Sequence, residues 1–183
     1  MKHQAGWCIW FTGLPASGKS TLARQLWLRL QEFNIPAVIL DSDELRPLLA
    51  AHQGYSDAER DGFYARLVAL AQLLSNDGVN VIIAATGNRR RYRQHAAESF
   101  GHFAEVWVRC PPAVCSARDR KGLYARAASG AIQHLPGVDA AYESPEHPAL
   151  ILDTFRQDAA ACVTTVLSRL PFLHAAVWET ARD

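Results

Sequence analysis

The sequence predicts an α/β fold, a mostly parallel sheet sandwiched between two layers of helices. Three observations predict it. Short apolar runs alternate with longer amphipathic stretches. The runs are apolar at successive positions, as strands buried on both faces must be. A glycine-rich loop joins the first run to the first amphipathic stretch, and the stretches are long enough to serve as the crossovers that parallel strands need.

The first run, W-C-I-W-F from Trp7 to Phe11, reads as a buried strand ending at the glycine loop. Leu22, Leu26, Leu30 and Phe33 recur at helical spacing, so a helix is expected from Ser20 to Phe33, stopped by Asn34 and Pro36. A-V-I-L, Ala37 to Leu40, is a second strand that delivers Asp41-Ser42-Asp43 at its end. Ser56 and Glu59 form a capping box for a helix reaching Asn76, with Phe63, Leu67, Leu70 and Leu74 on one face. Asp77-Gly78 turns the chain into a third strand, V-N-V-I-I-A-A. A helix around Arg90 to Phe100 and a strand from Ala104 to Val108 follow. Ala149 to Asp153 offers a fifth strand, and Gln157 to Leu170 a closing helix. Between Arg118 and Pro148 the regularity fails, and Gly130, Gly137, Pro136, Pro145 and Pro148 punctuate the chain.

At 183 residues one domain, residues 1–183, with a sizeable core is expected. Apolar residues make up 49% and charged residues 20%, an ordinary globular balance. A net charge of +1 provides no bulk field to attract nucleic acid or an anionic membrane. The opening M-K-H-Q-A-G-W lacks a signal peptide's apolar stretch, and no later run is long enough to span a bilayer. The 4 cysteines (Cys8, Cys110, Cys115, Cys162) show no C-x-x-C spacing, so reduced structural thiols and a cytoplasmic location are expected. No histidine pair has zinc-site spacing.

Gly13-x-x-x-x-Gly18-Lys19-Ser20 matches the Walker A pattern, with a strand before it and a helix after it. Its glycines let the backbone curl so that the N–H groups of Ala16, Ser17, Gly18 and Thr21 can face phosphate oxygens at the positive end of the helix. Lys19 is expected to reach the β- and γ-phosphates of ATP, and the Ser20 hydroxyl to ligate Mg²⁺. The fold class is therefore a P-loop NTPase-type three-layer sandwich. No N-K-x-D tetrad argues for a GTPase switch, and a transporter or helicase motor needs a longer chain. A small-molecule kinase fits the size.

The second strand ends in L-D-S-D-E-L-R. Neighbouring strand ends open on one crevice in this fold class, so a carboxylate there can accept a hydroxyl proton or orient Mg²⁺. Asp43 is the better base candidate, with Asp41 beside the metal and Arg46 one turn later. The alternative is that Asp41 or Ser42 merely caps a short helix to Leu49.

These residues resemble the adenylylsulfate (APS) kinases. I-W-F-T-G-L-P-A-S-G-K-S-T is similar to the family's I-W-x-T-G-L-S-G-x-G-K-S-T, and L-D-S-D-E-L-R to L-D-G-D-x-x-R. Tyr55-Ser56 and Glu59-Arg60 stand where the family carries F-S and D-R. Most specific is R-D-R-K-G-L-Y-A-R-A-A-S-G-A-I, Arg118 to Ile132, followed by Y-E-S-P-E-H-P from Tyr142. The resemblance implies transfer of the ATP γ-phosphate to the 3′-hydroxyl of APS, with Asp43 as base. It implies that Arg46 and Arg60 hold the acceptor's anionic bridge, that Lys121 lies beside the transferring phosphate, and that Arg118 contacts the nucleotide. It also implies a lid from about residue 118 to 148, a small-molecule nucleotide as the binding partner, and a homodimer.

Three positions depart from the family's pattern. Phe63 replaces an asparagine, Gly87 replaces the serine of I-S-P, and Leu135 replaces the phenylalanine of F-T-G. Leu135 leaves Tyr55 as the one aromatic wall for the acceptor base, so a loosely held base is expected. With no hydroxyl at Gly87, transfer is expected to be direct. Phe63 can equally be core, since it shares the Leu67, Leu70 and Leu74 face. The basic run Arg89 to Arg93 is either a solvated helix face or a phosphate contact at the crevice. Two alternatives of function stand beside APS kinase. One is a kinase for another nucleotide's 3′-hydroxyl, such as a cytidine diphosphate derivative (for example cytidine diphosphoramidate). The other is a catalytically silent nucleotide-binding module.

Overall fold

The computed structural model describes residues 5–50 and 54–174. Strands β1 (Cys8–Thr12), β2 (Ala37–Asp41), β3 (Asn80–Ala84), β4 (Phe103–Arg109) and β5 (Leu150–Asp153) form one sheet in the order β2-β3-β1-β4-β5. Every pairing is parallel. The apolar runs are continuous because both faces are covered. Along β1, Ile9 and Phe11 enter a core with α1 (Lys19–Glu32) and α7 (Ala159–Arg169). Cys8 and Trp10 enter the opposite core with α3 (Asp57–Asn76) and α4 (Arg90–Ser99).

The remaining helices are α2 (Ser42–Leu49), α5 (Pro112–Arg118) and α6 (Leu123–Ala128). Element boundaries follow local chemistry. The capping box at Ser56 is formed in both directions, Glu59 taking the Ser56 N–H and Ser56 Oγ the Glu59 N–H. The closing helix starts later than its apolar pattern suggests, because Asp158 caps it by accepting from the Ala161 N–H at 2.8 Å. Strand β4 runs longer than expected at both ends, with Phe103 paired to Cys8 and Arg109 to Asp153.

Chain winding reverses at β1, which lies between β3 and β4. In open parallel sheets this reversal opens a crevice beyond the strands' carboxyl ends. The irregular stretch after Arg118 covers that crevice. It rests on a third, smaller core in which Tyr124 and Leu135 pack with Cys110, Cys115, Leu14 and Ala16. The Tyr124 hydroxyl donates to the Pro15 carbonyl at 3.1 Å, tying α6 to the glycine loop.

Candidate active site

The crevice is a cleft of about 1470 Å³ shared by the glycine loop, the end of β2, the start of α3 and the irregular stretch. Gly18 caps α1 in a left-handed conformation, φ 106°, that side chains rarely adopt. Ala16, also lining the cleft, has φ 58° without glycine's freedom. Lys19 arches back over the loop, donating to the Gly13 carbonyl at 3.1 Å and the Leu14 carbonyl at 2.8 Å. Burial pushes its ammonium down from 10.5 to about 8, against the pull of Asp43 and Asp41. Ser17, Ser20 and Thr21 line the same wall. Gly13 does not. A Cβ there would collide with the Val108 carbonyl, so this glycine lets the loop lie against β4.

Asp41 is both cap and cleft residue. Its Oδ1 accepts the Asp43 N–H at 2.9 Å, capping α2, while the residue lines the cleft. Capping thus explains Asp41 and leaves Asp43 to be explained. Asp43 Oδ2 receives Lys121 Nζ at 2.6 Å, across 78 residues of sequence. Both side chains are more than 60% exposed, so the pair adds little to stability and its meaning is placement.

Arg46 and Arg60 are buried, at 8% and 3% exposure. The Arg46 guanidinium lies 4.1 Å from the Phe63 ring centre and 4.5 Å from that of Tyr55. Arg60 lies 5.3 Å from the Tyr55 ring centre. Arg60 donates to the Tyr55 carbonyl at 2.9 Å, Asn88 Oδ1 at 3.3 Å and the His134 carbonyl at 2.5 Å. Arg46 donates to the Gly54 carbonyl at 3.4 Å. Among the described residues neither forms an ion pair with a carboxylate; each of these acceptors is a neutral oxygen. Burial, with Arg46 as a like-charged neighbour, lowers the Arg60 pKa against weaker opposing pulls. Buried cations left without a counter-charge make a site that an anion completes.

Two expected acceptor residues do not reach the cleft surface. Phe63 is fully buried among Tyr64, Leu67 and Trp10 and serves as the shelf beneath Arg46. Gly87 has φ 51° and points inward, where a Cβ would lie 2.9 Å from Trp10 Cζ2. Leu135 does line the cleft, and Tyr55 does so at 46% exposure. The run from Arg89 to Arg93 is a partly solvated face, exposed at Arg91 and buried at Arg93, and among the described residues each of its arginines is paired with a carboxylate. Arg89 pairs with Glu143 and Asp57, Arg90 with Glu146, and Arg91 with Asp61. Arg93 is buried against Glu105 and the carbonyls of Gly87 and Glu143.

Sequence reasoning missed Thr154, His134, Tyr124 and Asn88 as individual contributors. Thr154 Oγ1 donates to the Ser17 carbonyl at 2.8 Å, and Arg118 to the Thr154 carbonyl at 3.0 Å, bracing the loop from β5. Thr154 directly follows a strand end, which was the available signal.

The family description "Adenylylsulphate kinase" matches residues 5–153. The chain belongs to the adenylylsulphate kinase family. An adenylyl-sulfate kinase of Synechococcus sp. (strain JA-3-3Ab) is 38% identical over 90% of this chain and 94% of its own length. An APS kinase of Mycobacterium tuberculosis, solved in complex with AMPPNP and APS, superposes with a TM-score of 0.86. It is 36% identical, covering 91% of this chain and 98% of that one. A hexameric APS kinase from Thiobacillus denitrificans superposes with a TM-score of 0.69 at 27% identity. That match covers 96% of this chain and 30% of the other. Within this adenylylsulphate kinase fold, no described helix is long and apolar enough to cross a membrane.

Proposed function

We propose that this chain transfers the γ-phosphate of ATP to the 3′-hydroxyl of adenylylsulfate. The observation that carries the reading is the pair of buried, carboxylate-free guanidinium groups on Tyr55, in the same cleft as the Walker loop. An acceptor bearing an aromatic base and an anionic bridge answers both features.

In this reading Lys19 and the loop N–H groups bind the donor phosphates, and Arg118 flanks the donor side. Asp43 accepts the 3′-hydroxyl proton, and Lys121 balances charge as the phosphate passes between the nucleotides. The stretch over the cleft excludes water, which would otherwise compete as acceptor. A hard divalent cation fits the residues present, since Ser20 offers a hydroxyl and Asp41 a carboxylate with one oxygen outside the cap. Such an ion would neutralise charge on the β- and γ-phosphates.

A homodimer and a cytoplasmic setting complete the proposal; the four free, buried cysteines support the latter. Coupled ATP turnover against adenylylsulfate and a panel of other nucleotides tests the assignment. Phosphorylation of a cytidine diphosphate derivative in place of adenylylsulfate overturns the acceptor, and an inert protein overturns the chemistry. Sedimentation in solution tests the dimer.

A further inference from the structure

Arg60 is oriented from three separate places. Its guanidinium donates to the segment before α3 through the Tyr55 carbonyl, to the loop after β3 through Asn88, and to the covering stretch through the His134 carbonyl. Of these, only Asn88 contributes a side chain. Asn88 is 1% exposed, so each of its polar groups needs a protein partner. Three of them have one, and in a telling arrangement. Oδ1 accepts from Arg60 at 3.3 Å, Nδ2 donates to the Ala141 carbonyl at 3.1 Å, and the backbone carbonyl accepts the Glu143 N–H at 2.8 Å.

Ala141 and Glu143 belong to the segment that returns from the cleft cover to the body of the protein. Arg89, Arg90 and Arg93 fix the same segment through Glu143 and Ser144. One amide therefore holds the anchor of the cover with its nitrogen and the guanidinium facing the cleft with its oxygen. An amide can do both at once because it carries a donor and an acceptor on one rigid plane; a carboxylate or an alkyl group cannot.

We propose that Asn88 is a positioning residue that couples the seating of the cleft cover to the orientation of Arg60. Moving the cover's anchor turns the amide, and turning the amide swings its oxygen off Arg60. The inference rests on the proposed role of Arg60 in holding the acceptor's anionic bridge.

The test uses the full-length protein and two variants. Asn88→Asp keeps an acceptor for Arg60 but sets a carboxylate against the Ala141 carbonyl. Asn88→Ala removes both bonds. The expected result for Asn88→Ala is a KM for adenylylsulfate raised about tenfold, the size of one hydrogen bond to a charged group. The KM for ATP should stay within about twofold, because among the described residues the hydrogen bonds of Asn88 go to Arg60, Ala141 and Glu143 and none to the Walker loop. Asn88→Asp should also raise the adenylylsulfate KM, since its carboxylate loses the anchor bond and gives Arg60 the counter-charge it otherwise takes from the acceptor. Both variants should speed amide hydrogen exchange in residues 130–143 when the protein is saturated with a non-hydrolysable ATP analogue and adenylylsulfate.

The coupling is overturned if Asn88→Ala leaves both the acceptor KM and the exchange unchanged. It is also overturned if both variants raise the two KM values equally alongside a lower melting temperature, the sign of general loosening. Failure of the functional reading would instead show in the wild-type protein, which would not turn over adenylylsulfate. Exchange with the ATP analogue alone would then still show whether Asn88 anchors the cover, and unchanged exchange in Asn88→Ala would overturn the coupling.

Discussion

Lys121 Nζ sits 2.6 Å from Asp43 Oδ2, bringing the cleft cover to the end of β2. The Asp43 hydrogen bond raises the Lys121 pKa, so the lysine stays charged through neutral pH. Asp43→Asn keeps the shape and removes the proton acceptor. Its kcat should fall roughly 10²–10⁴-fold with little change in ATP KM. Its melting temperature should hardly move, since an exposed ion pair contributes at most about 1 kcal/mol. Steady-state kinetics and a thermal melt check both halves. Collapse of ATP binding with turnover intact at saturation would make Asp43 a metal-holding or structural residue.

In the proposed assignment Lys19 should set a pH limit on donor binding. Its folded pKa lies at about 8, below the ordinary 10.5, and phosphate oxygens favour the charged form. ATP affinity should therefore weaken as pH rises through about 8, as binding increasingly requires proton uptake. The stability effect has the opposite sense. Between about 8 and 10.5 the unfolded lysine holds a proton that the folded one has lost, so this group favours folding more as pH rises. Calorimetry in buffers of different ionisation enthalpy reads the proton uptake directly. Lys19→Ala should cost about 2–4 kcal/mol of transition-state stabilisation.

Ala16 carries a conformational cost in the loop. A left-handed alanine costs roughly 1–2 kcal/mol, and glycine's extra freedom when unfolded returns roughly 0.4–1 kcal/mol of that. Ala16→Gly should accordingly stabilise the protein by about 0.5–1 kcal/mol in urea unfolding. Destabilisation would mean that the φ of 58° is not under strain.

Gly87→Ser restores the hydroxyl of the family's pattern but should not restore a function. Its Cβ would sit 2.9 Å from Trp10 Cζ2 at φ 51°, so a loss of roughly 1–3 kcal/mol is expected. Mass spectrometry of the enzyme after turnover should find no phosphate on residues 86–88.

Leu135 sits on the cleft wall without a ring to oppose Tyr55. Leu135→Phe should raise the preference for adenine-bearing over pyrimidine-bearing acceptors by about 1 kcal/mol, roughly fivefold in kcat/KM. A wild type that already prefers adenylylsulfate more than about a thousandfold would remove the idea of a loosely held base.

The fold was legible because its signals are local. Continuous apolar runs mark strands covered on both faces, and the Ser56–Glu59 box marks a helix start. The Walker loop was legible for the same reason. What escaped the sequence were contacts closed across long stretches of chain. Nothing near Phe63 in sequence says that Arg46 lies on its ring, and helical period alone could equally make it core or cleft. The basic run at Arg89 reads in sequence as either a solvated face or a phosphate contact, and only the structure supplies its partners Glu143, Glu146, Asp57 and Asp61. Asn88 gave no signal, because an amide's worth depends on which two partners it finds.

Arg60 offers the most direct measurement of the central claim, that the two buried guanidinium groups hold the acceptor's anionic bridge beside a working Walker loop. The measurement is kcat/KM of wild type and Arg60→Met for adenylylsulfate, set against the KM for ATP in the same assay. Methionine keeps much of the volume over Tyr55 and removes the charge. The expected result is measurable wild-type turnover, a fall of at least about 100-fold in kcat/KM for adenylylsulfate, and an ATP KM within about twofold. Equal turnover of adenylylsulfate by both proteins, or none by the wild type, would contradict it.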